Sequence, residues 1–140
     1  MRILLTGGTG FIGNEVLQIL QNKKNKILIL TRKSIKNKKN LEFYKCDFFK
    51  PNSYTKKINE FDPNIVVHCL WYGIPDLGKI NSNLNYKYSK IFFKNVLKLE
   101  SLKQILVSGS CFEIKLKNGK KNENCHTDNN SFFAAAKIKI

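Results

Sequence analysis

The feature that most constrains this chain lies at its start. An apolar run, Arg2 to Thr6, breaks into Gly7-Gly8-Thr9-Gly10-Phe11-Ile12-Gly13, and an amphipathic stretch follows at once. Apolar residues at 11, 12, 16, 17, 19 and 20 predict a helix over Phe11 to Asn22. Three glycines, at 7, 10 and 13, therefore fall between a strand and a helix, and each has a mechanical task. Gly7 permits a tight turn out of the strand, Gly10 lets a pyrophosphate approach the backbone, and Gly13 lets the helix pack closely. The amides from Gly10 to Ile12 open the helix, where the peptide dipole attracts anions. In this context the turn points to dinucleotide binding.

The remaining chain repeats the alternation. Lys26 to Thr31, Leu41 to Cys46, Ile65 to Leu70 and Lys103 to Gly109 read as further buried strands. A short helix is expected from Pro51 to about Asn59, and Asp62-Pro63-Asn64 reads as a turn. A long helix is expected from Asn81 to Leu99. Ile114 to Asn130 is polar and irregular, and Phe132 to Ile140 resembles the first turns of a helix with Ser131 as its N-cap. Near-continuous apolar strands alternating with helices imply an α/β fold, a doubly wound parallel sheet covered on both faces. The order 3-2-1-4-5 uses all five strands in one domain spanning 1–140.

Composition narrows the partners. Lys and Arg number 25 against 10 acidic residues, a net charge of +15. Only Arg2 and Arg32 are arginines, and the lysines are scattered, with short clusters such as Lys36 to Lys39. Nucleic-acid readers favour the bidentate Arg fork. A solvated surface is the expectation, with no specific nucleic-acid site. Cys46, Cys69, Cys111 and Cys125 lack metal-ligand spacing, and His68 and His126 stand far apart, so no metal site is expected. Inert reduced thiols are expected instead. No apolar run is long enough for a membrane span, and the glycines interrupt the first apolar run too soon for a secretory signal. The default localisation is cytoplasmic.

Thr6-Gly7-Gly8-Thr9-Gly10-Phe11-Ile12-Gly13 resembles the T-G-x-x-G-x-x-G turn of the extended short-chain dehydrogenases/reductases, the nucleotide-sugar epimerase/dehydratase family. Further segments resemble the family in order. Phe43-Tyr44-Lys45-Cys46-Asp47-Phe48 is similar to its strand-three ending, whose Asp contacts adenine; this implies Asp47, with Phe48 beside it. Val66-Val67-His68-Cys69-Leu70-Trp71 is similar to the fourth-strand ending beside the nicotinamide ribose, implying Cys69 and Leu70. Asn83 resembles the asparagine of the next helix, with Asn85 an equally placed candidate. Ile105 to Glu113 resembles the fifth-strand ending that carries the catalytic Ser, implying Ser110.

The family's Y-x-x-x-K helix maps to Phe133-Ala134-Ala135-Ala136-Lys137. Lys137 is present, where the family's Lys holds the nicotinamide ribose and lowers the Tyr pKa. Phe133 stands at the acid/base position and carries no transferable proton. Ile114-Lys115 replaces the usual Tyr-Gly after Glu113. An acidic residue that would grip a ribose 2′-hydroxyl is expected near position 31, but Thr31-Arg32-Lys33 stands there. Arg32 could pair with a 2′-phosphate, so NADP is slightly favoured over NAD; a solvated loop charge is the alternative.

The resemblance implies an incomplete Rossmann part, ending before a sixth strand and the sugar-binding region. It also implies a nucleotide-sugar epimerase, dehydratase or reductase ancestry with impaired catalysis. Alternatives are a non-catalytic dinucleotide-binding remnant and half of a split enzyme. A nucleotide-sugar is expected as partner only if the C-terminal region is supplied. Exposed apolar surface on the last strand would favour self-association.

Overall fold

The computed structural model describes residues 1–21, 24–115 and 125–140. The elements run β1 (Arg2–Thr6), α1 (Phe11–Gln21), β2 (Lys26–Thr31), β3 (Leu41–Lys45), α2 (Thr55–Phe61), β4 (Ile65–His68), α3 (Lys79–Val96), β5 (Gln104–Val107) and α4 (Phe132–Ile138), with 3-10 turns at Pro51–Ser53 and Cys111–Glu113. Two compact units result: Met1–Leu70 with Ile91–Ser108, and Trp71–Lys90 with Gly109–Ile140.

The first unit carries a five-stranded parallel sheet in the order β3-β2-β1-β4-β5, as the strand–helix alternation predicts. Alternating side chains divide between its faces. Ile3, Leu5, Ile27, Ile29, Leu41 and Val67 form one buried cluster with Leu17 of α1. On the opposite face, the His68 ring meets the rings of Phe48, Phe92 and Phe93 at centroid distances of 5.7, 5.4 and 5.1 Å. Phe48 also stacks on Tyr54 at 5.7 Å. Thr6 and His68 are register partners across β1 and β4, and Thr6 Oγ1 lies 2.7 Å from His68 Nδ1. The buried imidazole thus has a hydroxyl beside it inside a largely aromatic layer.

The predicted Asp62-Pro63-Asn64 turn anchors the lower edge of the sheet. Asp62 caps α2 in the left-handed conformation, at φ 51°. The Arg2 guanidinium donates to the Asp62 carbonyl and, at 2.8 Å, to its carboxylate. Ser101 donates to the same carboxylate, tying the start of β1 to the chain just before β5.

Element limits depart from the periodicity where local hydrogen bonding changes. Tyr54, at φ −134°, separates the 3-10 turn at Pro51 from α2, so the single predicted helix is two pieces. α3 starts two residues early, and after Val96 it tightens into i→i+3 bonds from Lys98 to Asn95 and from Leu99 to Val96. Cys46, Cys69 and Ser108 follow their strands and still donate ladder-like bonds to Thr31, Thr6 and His68. The expected end of the first helix at Asn22, and residues 116–124 of the expected irregular segment, lie outside the described residues. β5 is an edge strand on which Leu106 and Val107 remain 47% and 43% exposed.

In the second unit, Asn81, Ser82 and Asn85 lie in the early turns of α3, and Ser82 and Asn85 are buried. Ile114 pairs with Thr127 in an isolated antiparallel bridge, and Lys115 donates to the His126 carbonyl at 2.8 Å. α4 starts on Ser131, whose hydroxyl accepts from the Ala134 amide at 3.0 Å, the cap predicted from the sequence. Among the described residues, no helix is long and apolar enough to cross a membrane. Among the same residues, no His, Cys, Asp and Glu cluster could hold a metal ion.

None of the four cysteines is joined in a disulfide. Desolvation by burial pushes the Cys46 thiol from 9.0 up to about 11, and the neighbouring Asp47 carboxylate adds to the rise against a backbone hydrogen bond at Thr31. Because the native thiol holds its proton through pH 8, iodoacetamide should alkylate Cys46 on the order of 100-fold more slowly than an unshifted thiol. Cys111 is exposed and should react first. Peptide mapping after timed alkylation reads both rates, and equal labelling would show that Cys46 is not shielded.

Gly13 generates a stability prediction. A Cβ there would lie 2.1 Å from the Gly7 carbonyl oxygen, which is backbone and cannot swing aside. Gly13→Ala should therefore cost ~1–3 kcal/mol or more, read as a lower urea midpoint. A change below ~0.5 kcal/mol would show that the turn can relax.

Candidate functional site

The glycine turn belongs wholly to the first unit. Gly7 has φ +73°, and a Cβ there would sit 2.7 Å from the Cys69 carbonyl carbon and the Leu70 amide nitrogen. Two separate constraints therefore demand glycine at this position: its dihedral angle and the passing end of β4. The Gly10 amide donates to the Gly7 carbonyl at 2.9 Å, closing the turn. Asn14 then donates to the Gly10 carbonyl at 2.9 Å, the first intrahelical bond of α1. The amides of Phe11, Ile12 and Gly13 precede that bond and lie in the helix's opening turn.

Gly10 differs from its neighbours. Its added Cβ would meet only the Gly7 carbonyl oxygen, at 3.2 Å, and would otherwise project into open space. Folding leaves its outer side clear, so the residues present fit a phosphate group resting on this backbone. Phe11 and Ile12 are 94% and 53% exposed, so their side chains take no part in the core. What they offer a ligand is backbone N–H.

The other sequence-predicted residues of this unit stand at the carboxyl ends of the strands. Thr31, 6% exposed, ends β2, and its hydroxyl accepts from the Lys33 amide at 3.1 Å. Arg32 follows in an exposed position. Asp47 is half-buried just beyond β3, and one carboxylate oxygen accepts from the Phe49 amide at 3.0 Å. Its carbonyl accepts from Lys50 and from Ser53, so the loop is fixed around it. Phe48 is 6% exposed with its ring in the aromatic cluster; that side chain serves packing, which its place beside Asp47 in the sequence did not reveal. Cys69 and Leu70 are half-buried at the end of β4, and Cys69 packs against the core cluster.

A cavity of about 430 Å³ flanks α1 in the same unit. Asn14, Gln18 and Gln21 line it from one helix face, opposite Ile35, Lys38 and Phe43, and Gly8 and Thr9 stand at its edge. A helix face, the end of a strand and a loop without periodicity meet only on folding, so no sequence pattern marks this cavity.

The second unit holds Ser110, Phe133 and Lys137. Ser110 caps the 3-10 turn: its hydroxyl accepts from the Phe112 amide at 3.3 Å, while its own amide donates to the Glu113 carboxylate. A serine hydroxyl used as an acceptor retains its proton for donation elsewhere. Phe133 is 8% exposed and packs edge-to-face between Trp71, at 4.8 Å, and Phe112, at 6.0 Å. Lys137, one helical turn on, places its ammonium 4.7 Å from the Trp71 ring centroid. The i, i+4 spacing thus brings Phe133 and Lys137 onto one ring, as expected of residues sharing a helix face.

The two asparagine candidates of α3 separate clearly. Asn83 is exposed, whereas Asn85 is fully buried and holds Tyr72 through both backbone groups, at 2.8 and 2.9 Å. It donates to the Asn81 carbonyl as well. Asn85 is thus the asparagine built into the structure, and its task is to fix the chain after β4. The i, i+3 and i+7 placement of Ser82, Asn85 and Ser89 on one buried stripe could have signalled this choice.

A sequence profile of the NAD dependent epimerase/dehydratase family matches residues 3–140. A search of curated protein sequences gives no match. Among solved structures, the chain is similar to a UDP-glucose 4-epimerase from Thermotoga maritima, with TM-score 0.82 and 20% identity over 99% of this chain and 48% of that one. It is similar to the Bordetella bronchiseptica enzyme WbmG in complex with NAD and UDP, at TM-score 0.80 and 20% identity over 99% and 47% of the two chains. A dTDP-glucose 4,6-dehydratase from Bacillus anthracis in complex with NAD gives 0.78 and 24%, over 99% and 47%. The chain spans about half the length of these proteins. Given a match that runs over nearly all of its residues, the chain belongs to the NAD dependent epimerase/dehydratase family.

Proposed function

We propose that the chain binds NAD(H) or NADP(H) at its glycine turn, as the nucleotide-binding part of a nucleotide-sugar epimerase, dehydratase or reductase. The observation that carries this reading is the contrast among the glycines. Packing accounts for Gly7 and Gly13, while Gly10 faces open space where a pyrophosphate needs close approach. The relatives named above that were solved with a dinucleotide hold NAD. Support for accepting a 2′-phosphate is that Thr31, Arg32 and Lys33 include no carboxylate to repel it.

In this reading Asp47 accepts from the adenine amino group, and Lys137 donates to the nicotinamide ribose. Asn83 and the backbone at Phe48, Cys69 and Leu70 complete the proposed contacts. The bound nicotinamide would supply hydride exchange with a sugar carbon. Ser110 would donate its hydroxyl proton to the reacting oxygen. Phe133 has no proton to move, so the chain lacks the group that would shuttle one at that oxygen.

A second reading, a dinucleotide-binding protein without turnover, is favoured by the same residue. Phe133 packs between Trp71 and Phe112 and brings no transferable proton to the position.

Binding separates these readings from no nucleotide function at all. Millimolar NAD or NADP should raise the melting temperature, because a ligand bound only by the native state stabilises it. Gly10→Val should abolish the shift and retain the wild-type far-UV circular dichroism. No shift in the folded wild type, with either dinucleotide, would remove the proposal. Arg32→Ala should weaken NADP more than NAD; equal losses return Arg32 to a solvated charge.

Turnover tests the proton-transfer residue. The chain should show no measurable conversion of UDP-glucose. Fused to the C-terminal half of the Thermotoga epimerase, Phe133→Tyr should exceed the Phe133 fusion by a factor of ~10²–10⁴. Equal rates from the two fusions would take the acid/base position away from residue 133.

A further inference from the structure

We propose that Trp71 is the positioning residue for Lys137, holding the ammonium against its indole face where a phenol would otherwise supply the electrostatic partner. The inference deepens the nucleotide reading, on which only its consequence for cofactor binding rests. Trp71, Phe133 and Lys137 all belong to the second unit, so the geometry is internal to one compact body.

Three observations carry it. The Lys137 Nζ lies 4.7 Å from the Trp71 ring centroid, well inside the ~6 Å reach of a cation–π contact. Trp71 is half-buried, and indole offers a cation the strongest π face among the aromatic side chains. Two pairs on exposed lysines of α3, Lys87 over Tyr88 and Lys90 over Tyr86, are longer, at 5.4 and 5.7 Å. Phe133 then braces the indole edge-to-face at 4.8 Å and 76°, and Phe112 braces Phe133 at 6.0 Å. The ring that carries the cation is therefore itself held by α4, the helix on which the lysine sits.

The chemistry follows from what stands at position 133. A tyrosine there would present an oxygen, and its phenolate would attract the ammonium one helical turn away. Phenylalanine removes that attraction. The Trp71 π face replaces it with a negative surface that accepts no hydrogen bond through a lone pair. Trp71 thus orients Lys137 for binding without restoring proton transfer.

Trp71 is the one tryptophan in the chain, so emission excited at 295 nm is its own signal. Lys137→Met should change the intensity of that emission in the absence of any nucleotide, and Lys137→Arg should restore it. Emission identical in wild type and Lys137→Met would overturn the proposal.

Titration with NAD supplies the second readout. Trp71→Leu should weaken NAD binding about 5- to 30-fold, the usual range for a cation–π contact of this kind, while Trp71→Phe keeps most of the affinity. Adding Lys137→Met to Trp71→Leu should cost little more, since the pair acts as one unit. Should Trp71→Leu not fold, the Trp71→Phe and Lys137 variants still decide, because both leave the ring cluster filled. Full affinity in a folded Trp71→Leu would also overturn the proposal. A wild type that ignores NAD, yet whose emission responds to Lys137→Met, would end the nucleotide reading and leave the positioning of Lys137 standing.

Discussion

Backbone pressed against backbone at the first turn is the constraint on which the rest of the first unit depends. The opening of α1 lies so close to the turn that the Gly13 Cα faces the Gly7 carbonyl with no room for a methyl group. Gly7 in turn lies against the peptide joining Cys69 to Leu70. One small turn thereby sets the height of α1 over the sheet and the place where β4 ends. The cluster of Ile3, Leu5, Ile27, Ile29 and Val67 under Leu17 follows from that spacing. Parallel strands buried on both faces need such a cover, because neither face can be left to water.

The opposite face is organised differently. Four aromatic rings and the His68 imidazole fill it, with Thr6 beside the imidazole. Phe48 leaves β3 to join this layer, and the same chain reversal sets Asp47 at the strand end, held by Phe49, Lys50 and Ser53. Packing and site are thus coupled through adjacent residues: one side chain turns inward and its neighbour stays at the rim.

Strands and sheet order were legible because apolar runs of four to six residues, separated by longer helical stretches, admit few parallel arrangements. β1 and β2 match their predicted limits, since each is bounded by charged or turn-forming residues. Helix ends were less legible. The extension of α3 back to Lys79 depends on Ser82 donating to the Gly78 and Leu77 carbonyls, a local contact with no periodic signature. Asn83 and Asn85 both fit the motif by spacing, and only folding gives Asn85 the Tyr72 backbone as its partner. Trp71 stands one residue beyond an apolar strand, a position that reads as a strand ending. Its partners at 133 and 137 are brought to it by folding alone.

The unequal surroundings of the three glycines bear on how such a turn would age. Gly7 and Gly13 are required by steric contact with neighbouring backbone, so any descendant that still folds must keep them, whatever it binds. Gly10 is under no such steric demand, because the protein places almost nothing against it. A lineage released from nucleotide binding would therefore retain two-thirds of the fingerprint indefinitely and drift at the middle position first. The glycine still present at residue 10 is thus the part of the turn that speaks for binding, and the outer pair speaks only for architecture.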